Sequence, residues 1–147
     1  MENTDLRKSI GSLISKTNWY LRAYFNKKIK EKNLNVTIEQ WVVLTIVAQQ
    51  PGITQTEIAK KGLKDKTNVT RILDLLEKNN YIKREKDKHD RRIYTIYVTE
   101  KGNKALSIIT PLARQTNEES CVNIKNDDLI IVTESLEQIC NTIKKEI

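Results

Sequence analysis

A mainly α-helical fold with one small β-hairpin is predicted by three features of this 147-residue chain. Long helical patterns fill both ends, two short helical patterns lie between Thr54 and Lys78, and two strand-like runs around a charged tip follow directly. Helix, turn, helix and ribbon in that order describe a winged helix-turn-helix with flanking N- and C-terminal helices.

Composition agrees with one domain over residues 1–147, since 38% hydrophobic and 31% charged residues are ordinary for a chain with a single core. No apolar run approaches the roughly 20 residues that span a bilayer. Met1 to Lys8 is polar, so a cytoplasmic location without membrane contact is expected. The net charge of +7 is concentrated rather than spread. Twelve basic residues against six acidic ones lie between Lys60 and Arg92, whereas Glu118 to Ile147 holds seven acids and three lysines. Positive charge placed on a patterned, foldable segment points to a polyanion bound by a structured surface.

Taken in order, the first helical pattern runs from about Asp5 to Lys32, with Leu6, Ile10, Leu13, Thr17, Leu21, Tyr24 and Lys28 on one face. It is too long for one small core to cover. Thr37-x-x-Gln40 is a capping box that opens a helix through Trp41, Leu44 and Val47. Pro51-Gly52 breaks that pattern, and Thr54-x-x-Glu57 caps the next, which ends at Gly62. Leu63 and Lys64 make the turn, with Asp65 as the following N-cap. In the next helix Val69, Ile72, Leu73 and Leu76 fall at i, i+3, i+4 and i+7 and must pack inward.

The opposite face of that helix carries Lys66, Thr67, Asn68, Thr70 and Arg71 near its N-terminus, with Asp74 and Lys78 further on. Arg can bridge guanine, Asn can bridge adenine and Thr can meet a thymine methyl in the major groove of a duplex. The bland alternative is a polar, solvated face. Tyr81 to Lys86 and Ile93 to Thr99 then read as strands, with Tyr94, Ile96 and Val98 on one face. Their tip, Asp87-Lys88-His89-Asp90-Arg91-Arg92, is too polar to bury and suits a narrow minor groove, with Asp90 bracing a neighbouring arginine. An ordinary charged hairpin is the alternative there. Beyond the hairpin, Thr99 caps a helix that Pro111 is expected to kink. Leu129, Val132, Leu136, Ile139 and Ile143 then form an a/d seam that needs a partner helix. A two-fold homodimer meets that need and would read an inverted repeat with half-sites roughly 34 Å apart. Closure of the two outer stripes on each other within a monomer is the other solution.

These residues resemble the MarR family of bacterial transcription regulators. The likeness rests on Gln40-Trp41, Pro51-Gly52, Thr54-Gln55-x-Glu57-Ile58-Ala59, Val69-Thr70-Arg71-x-Leu73-Asp74-x-Leu76-Glu77-Lys78, Tyr81-Ile82-x-Arg84, Asp90-Arg91-Arg92 and Val98-Thr99-Glu100-Lys101-Gly102. The family's wing pattern, Asp-x-Arg followed by five residues and Leu-Thr, lands on Asp90, Arg92 and Val98-Thr99, with Val98 in place of the leucine. Asn80 stands where a glycine is usual, and Asn also tolerates positive φ. The resemblance implies dimerisation helices at 5–32 and 103–147 around a DNA-binding unit at 37–99. It also implies a wing with Arg92 as minor-groove finger, Asp90 as its brace, and Lys88 and Arg91 beside them.

Trp19, Tyr20, Tyr24 and Phe25 gather half of the aromatics in one stretch. The resemblance implies a ligand crevice of Trp19, Tyr20, Tyr24 and Trp41 for a small phenolic or lipophilic effector; plain core is the alternative. Cys121 and Cys140 do not make a disulfide framework, and Cys140, beside Ile139, reads as a small buried hydrophobe. The lone His89 has no ligand cluster, so no metal or cofactor is expected. No phosphate loop, nucleophile motif or carboxylate pair suggests an enzyme. The leading expectation is a dimeric repressor on double-stranded operator DNA, and the alternative is a winged-helix module for protein contact or nonspecific DNA coating.

Overall fold

The computed structural model describes residues 3–61 and 66–147. Its elements are α1 (Asn3–Glu31), α2 (Ile38–Gln49), β1 (Ile53–Thr54), α3 (Gln55–Lys61), α4 (Lys66–Lys78), β2 (Ile82–Lys86), β3 (Tyr94–Val98), α5 (Glu100–Ser120) and α6 (Asn126–Lys144). This is the winged helix-turn-helix order. The Gly62 stop, the Leu63-Lys64 turn and the Asp65 cap lie outside the described residues, as do the side chains of Leu6, Lys66 and Thr67.

Three helix starts follow from side chains that satisfy the orphan N–H groups of a first turn. The Gln40 N–H donates to Thr37 Oγ1 at 3.2 Å while the Thr37 N–H donates to Gln40 Oε1 at 3.0 Å. Thr54 and Glu57 exchange the same pair of bonds at 2.8 and 3.4 Å. Thr99 accepts from the Gly102 N–H at 3.1 Å.

The core gathers around α2, which is apolar nearly all round and is therefore buried on several sides. Val43, Leu44 and Val47 meet Ile58 of α3, the inward row Val69, Ile72, Leu73 and Leu76 of α4, and Ile109 of α5 in one buried cluster. The sheet seals one edge. It has three antiparallel strands in the order β1-β3-β2, with Ile96 of β3 opposite Ile53 of β1 on one side and Arg84 of β2 on the other. The hairpin was expected; the third strand was not. Two residues are too few to show a period of two, and Thr54 advertises only its cap.

Asn80 ends α4 with φ 61°, in the left-handed region that its short amide tolerates. Asn80→Gly should stabilise the fold by about 0.5 kcal/mol through relief of that strain, read as a rise in melting temperature. Among the described residues Gly52, at φ 84°, is the one glycine in that region; it closes the turn into β1 beneath Tyr97.

The outer helices behave differently. Among the described residues of α1, those toward its C-terminus are the ones covered, by α5 and by the core at Phe25 and Ile29. Ile10, Leu13 and Ile14 are exposed, and no residue of α6 is buried. Closure of the two stripes within one chain is therefore not what is seen. Cys140, expected to be buried, is exposed for the same reason: nothing in its own chain covers α6. The helix α5 continues through Pro111 to Ser120.

Candidate nucleic-acid interface

Residues of α3, α4 and the hairpin line one groove. The inward row of α4 fixes the helix's rotation, leaving Asn68, Thr70 and Arg71 exposed. Gln55 of α3 donates to the Thr70 hydroxyl, so the two helices of the unit are joined across their outer rim. That role for Gln55 was not foreseen. Lys66 opens α4, but its side chain and that of Thr67 are outside the described residues.

At the hairpin tip, Asp90 Oδ1 accepts from the Arg92 N–H at 3.0 Å and from Nε at 3.1 Å, while Oδ2 accepts from Nη2 at 3.2 Å. This fork-on-fork contact holds the guanidinium by its rear edge and leaves the side chain 90% exposed. The Arg92 side chain and backbone N–H together keep the Asp90 carboxyl below its usual range. Lys88 and Arg91 are exposed beside it.

A second brace escaped sequence reasoning. Asp87 Oδ2 accepts from the backbone N–H groups of Asp90 and His89 at 3.0 Å each, and those bonds hold its carboxyl low as well. Asp-x-x-Asp spacing at a turn was the available signal, because Asx side chains readily cap the backbone two or three residues on. The Asp87 N–H also donates to the Ile93 carbonyl at 2.9 Å, closing the tip's own ring. Between the hairpin and α3–α4 lies a groove of about 560 Å³ whose walls include Gln55, Asp74, Arg84 and Arg92.

Of the four aromatic residues expected to form a crevice, Trp41 lines one in the single chain, and Trp19, Tyr20 and Tyr24 do not. Trp41 stacks edge-on with Phe25, ring centroids 5.3 Å apart, and donates to the Thr110 hydroxyl at 3.3 Å. These two rings line a cleft of about 240 Å³ among α1, α2 and α5, together with Asn18, Leu21 and Arg22. Asn18, Leu21, Arg22 and Phe25 are the i, i+3, i+4, i+7 face of α1, so Trp19, Tyr20 and Tyr24 fall on its other faces. Trp19 is 64% exposed and packs edge-on against Tyr20, while the Tyr24 hydroxyl donates to Glu119. Arg22 pairs with Glu39 at the mouth of the cleft, tying α1 to α2.

Tyr24 belongs to a polar cluster joining α1 to α5. The largely covered Lys28 ammonium donates to Glu119 Oε2 at 2.7 Å, and Gln115 donates to Oε1 at 2.7 Å. Lys28, then Tyr24, hold the Glu119 carboxyl down at about 2. A carboxyl lower when folded than when unfolded stabilises the fold above its ordinary value and loses that contribution as pH falls through the folded one. Acid melting of the wild type should therefore steepen between about pH 4.5 and pH 2 relative to Glu119→Gln. Because Glu119 is partly open to solvent, added salt should shrink the difference.

Comparison with known proteins bears on this geometry. The MarR family model matches residues 36–94, which run from just before α2 through α3, α4, β2 and the hairpin tip to the first residue of β3. The uncharacterized HTH-type transcriptional regulator YybA of Bacillus subtilis is 32% identical over 92 residues, covering 63% of this chain and 59% of YybA. A MarR transcriptional regulator from Methanosarcina mazei superposes with a TM-score of 0.78 at 28% identity, over 95% of this chain and 99% of that one. A mutant MarR from Escherichia coli complexed with operator DNA superposes with a TM-score of 0.81 at 21% identity, over 95% of this chain and 99% of that one. That last likeness concerns the fold alone.

Proposed function

We propose that the chain is a member of the MarR family of transcriptional regulators, whose model matches its residues 36–94, and that it acts as a two-fold dimeric, sequence-specific repressor of promoter-operator DNA. The observation that carries the reading is the Asp90–Arg92 fork, which spends a carboxylate on aiming a cation outward rather than burying it. Lys66, Thr67, Asn68, Thr70 and Arg71 supply major-groove contacts, while Lys88, Arg91 and Arg92 reach the adjacent minor groove and its phosphates.

A protein of the same fold has been solved on operator DNA, which is in keeping with duplex DNA as the partner here. Titration of promoter duplex against scrambled duplex at two salt concentrations tests the proposal. Preference for the promoter that survives at the higher salt is expected. Equal affinity for both duplexes would leave a nonspecific coating module, the alternative reading.

The uncovered a/d seam of α6 supports the dimer. Val132, Leu136 and Ile143 are exposed in the single chain and would be covered by the partner's outer helices. Leu136→Lys should convert the dimer to a monomer in sedimentation and sharply weaken operator binding. The loss follows because half-sites held on one body bind at an effective concentration that separate subunits lack.

The effector site we infer is the cleft lined by Phe25 and Trp41. Its aromatic walls suit a small phenolic or lipophilic compound, and it lies where α5 connects the reading unit to the dimer helices. A ligand that widens the gap between α1 and α2 would change the spacing of the two reading units. Operator affinity measured with and without phenol, in wild type and in Trp41→Ala, tests this; an equal response in both proteins would place the effector elsewhere.

A further inference from the structure

Arg84 is the charged residue of the wing that is turned inward. Its Nη2 lies 2.8 Å from Asp74 Oδ1 and its Nη1 2.6 Å from Glu77 Oε2, both on α4, and the side chain is 18% exposed. Asp74 stands three residues beyond Arg71, and Glu77 three beyond Asp74, so both acids continue the stripe that begins with the base-reading positions. On the strand side, Arg84 is paired in register with Ile96, a fully enclosed residue of β3. One guanidinium therefore ties the middle of β2 to the C-terminal half of the reading helix. Arg92 lies across the same groove from this contact.

A two-stranded ribbon beyond the edge of a core has little to hold its angle. The hairpin here leaves its core contacts at Ile82 and Ile96, and Lys86, Lys88 and Tyr94 beyond them are exposed. We propose that Arg84 is a positioning residue for DNA reading: it locks the wing's angle to α4, so that Arg92 and Arg71 engage neighbouring grooves at one fixed separation. The inference rests on the proposed reading surface. Ordering of the wing is then met during folding instead of at the moment of binding, which is where a free wing would lose affinity. A simple ion pair could be replaced by any cation nearby, but a fork spanning two carboxylates fixes direction as well as distance.

The test is a double-mutant cycle on the full chain, with a duplex selected from a random pool by the wild-type protein. Arg92→Ala should cost about 30-fold or more in affinity in the wild-type background. In an Arg84→Met background the same change should cost less than about threefold, because an untethered wing no longer delivers Arg92 reliably. Arg84→Lys, which can keep one of the two contacts, should restore part of the difference. Breaking the lock from the helix side with Asp74→Ala and Glu77→Ala together should shrink the Arg92 penalty in the same way. That pair removes negative charge where Arg84→Met removes positive charge, so a matching result from both excludes a mere change in local potential, and it keeps the test valid if one background folds poorly. An Arg92 penalty equal in all backgrounds would overturn the positioning role while leaving the reading surface intact. A wild-type protein indifferent to Arg92→Ala would overturn the reading surface, and this inference with it.

Discussion

Gly102→Ala unfolds this protein at a lower temperature, although alanine is ordinarily the better helix former. Inside a helix the exchange of glycine for alanine normally stabilises by about 0.5 to 1 kcal/mol. At Gly102 the new Cβ would collide with the Tyr81 carbonyl oxygen and approach Val98 Cγ1 to 2.6 Å. The obstruction is backbone, so no side-chain rotation relieves it. Tyr81 cannot retreat easily either, because its carbonyl accepts from the Thr99 N–H at 3.0 Å and its ring lies under the Lys101 ammonium at 4.6 Å. Lys101 also donates to the Asn79 carbonyl and Thr99 to the Asn80 carbonyl, so the start of α5 is bonded to the turn that follows α4. Overpacking of this kind costs at least about 2 kcal/mol net, or roughly 4 to 8 °C in melting temperature for a chain of this size. Protein concentration must be held constant, since the stability of an oligomer depends on it. Asn103→Ala, one residue along the same helix and exposed, serves as the control and should be near neutral. If Gly102→Ala melts with Asn103→Ala, the close approach of α5 to Tyr81 is not a real constraint.

The contact between α5 and the turn from α4 into β2 illustrates how much of this molecule could be read from its residues and how much could not. Helix caps at Thr37, Thr54 and Thr99 were legible because each is a local exchange between side chain and backbone, complete within four residues. The inward row of α4 was legible because a period of 3.6 leaves only one face for a core. The Asp90–Arg92 fork spans two residues and belongs to the same class. Contacts between elements distant in sequence have no such local mark. Arg84 looks like any other cation in a basic stretch until the sheet sets it opposite Asp74 and Glu77. The residues of the cleft went astray for a related reason. Counting aromatics in a stretch of α1 ignores the helix's rotation, and rotation is what sends Phe25 toward Trp41 and Trp19 away from it. The exposed seam on α6 is the opposite case: its pattern was plain from sequence, and the single chain leaves it uncovered.

Arg92→Ala produces the largest loss of operator affinity expected of any single exposed side chain. Each copy forfeits about 1 to 3 kcal/mol of minor-groove contact, and a two-fold dimer forfeits it twice, so affinity should fall by roughly 30-fold or more. The loss should be greater on sites with A·T-rich flanks, where a narrow groove deepens the negative potential, than on G·C-rich flanks. Asp90→Ala separates aim from charge. Removing a carboxylate beside DNA raises the attraction for phosphates, so a purely electrostatic wing would bind every duplex better after the change. A wing that depends on the fork holding Arg92 by Nε and Nη2 would bind random duplex better and the operator worse, because the freed guanidinium must be ordered again on binding. Side-by-side titrations of wild type, Arg92→Ala and Asp90→Ala on both duplexes decide the matter. Stronger operator binding by Asp90→Ala would mean that Arg92 contributes charge alone, and the clamped arginine would lose its place in sequence reading.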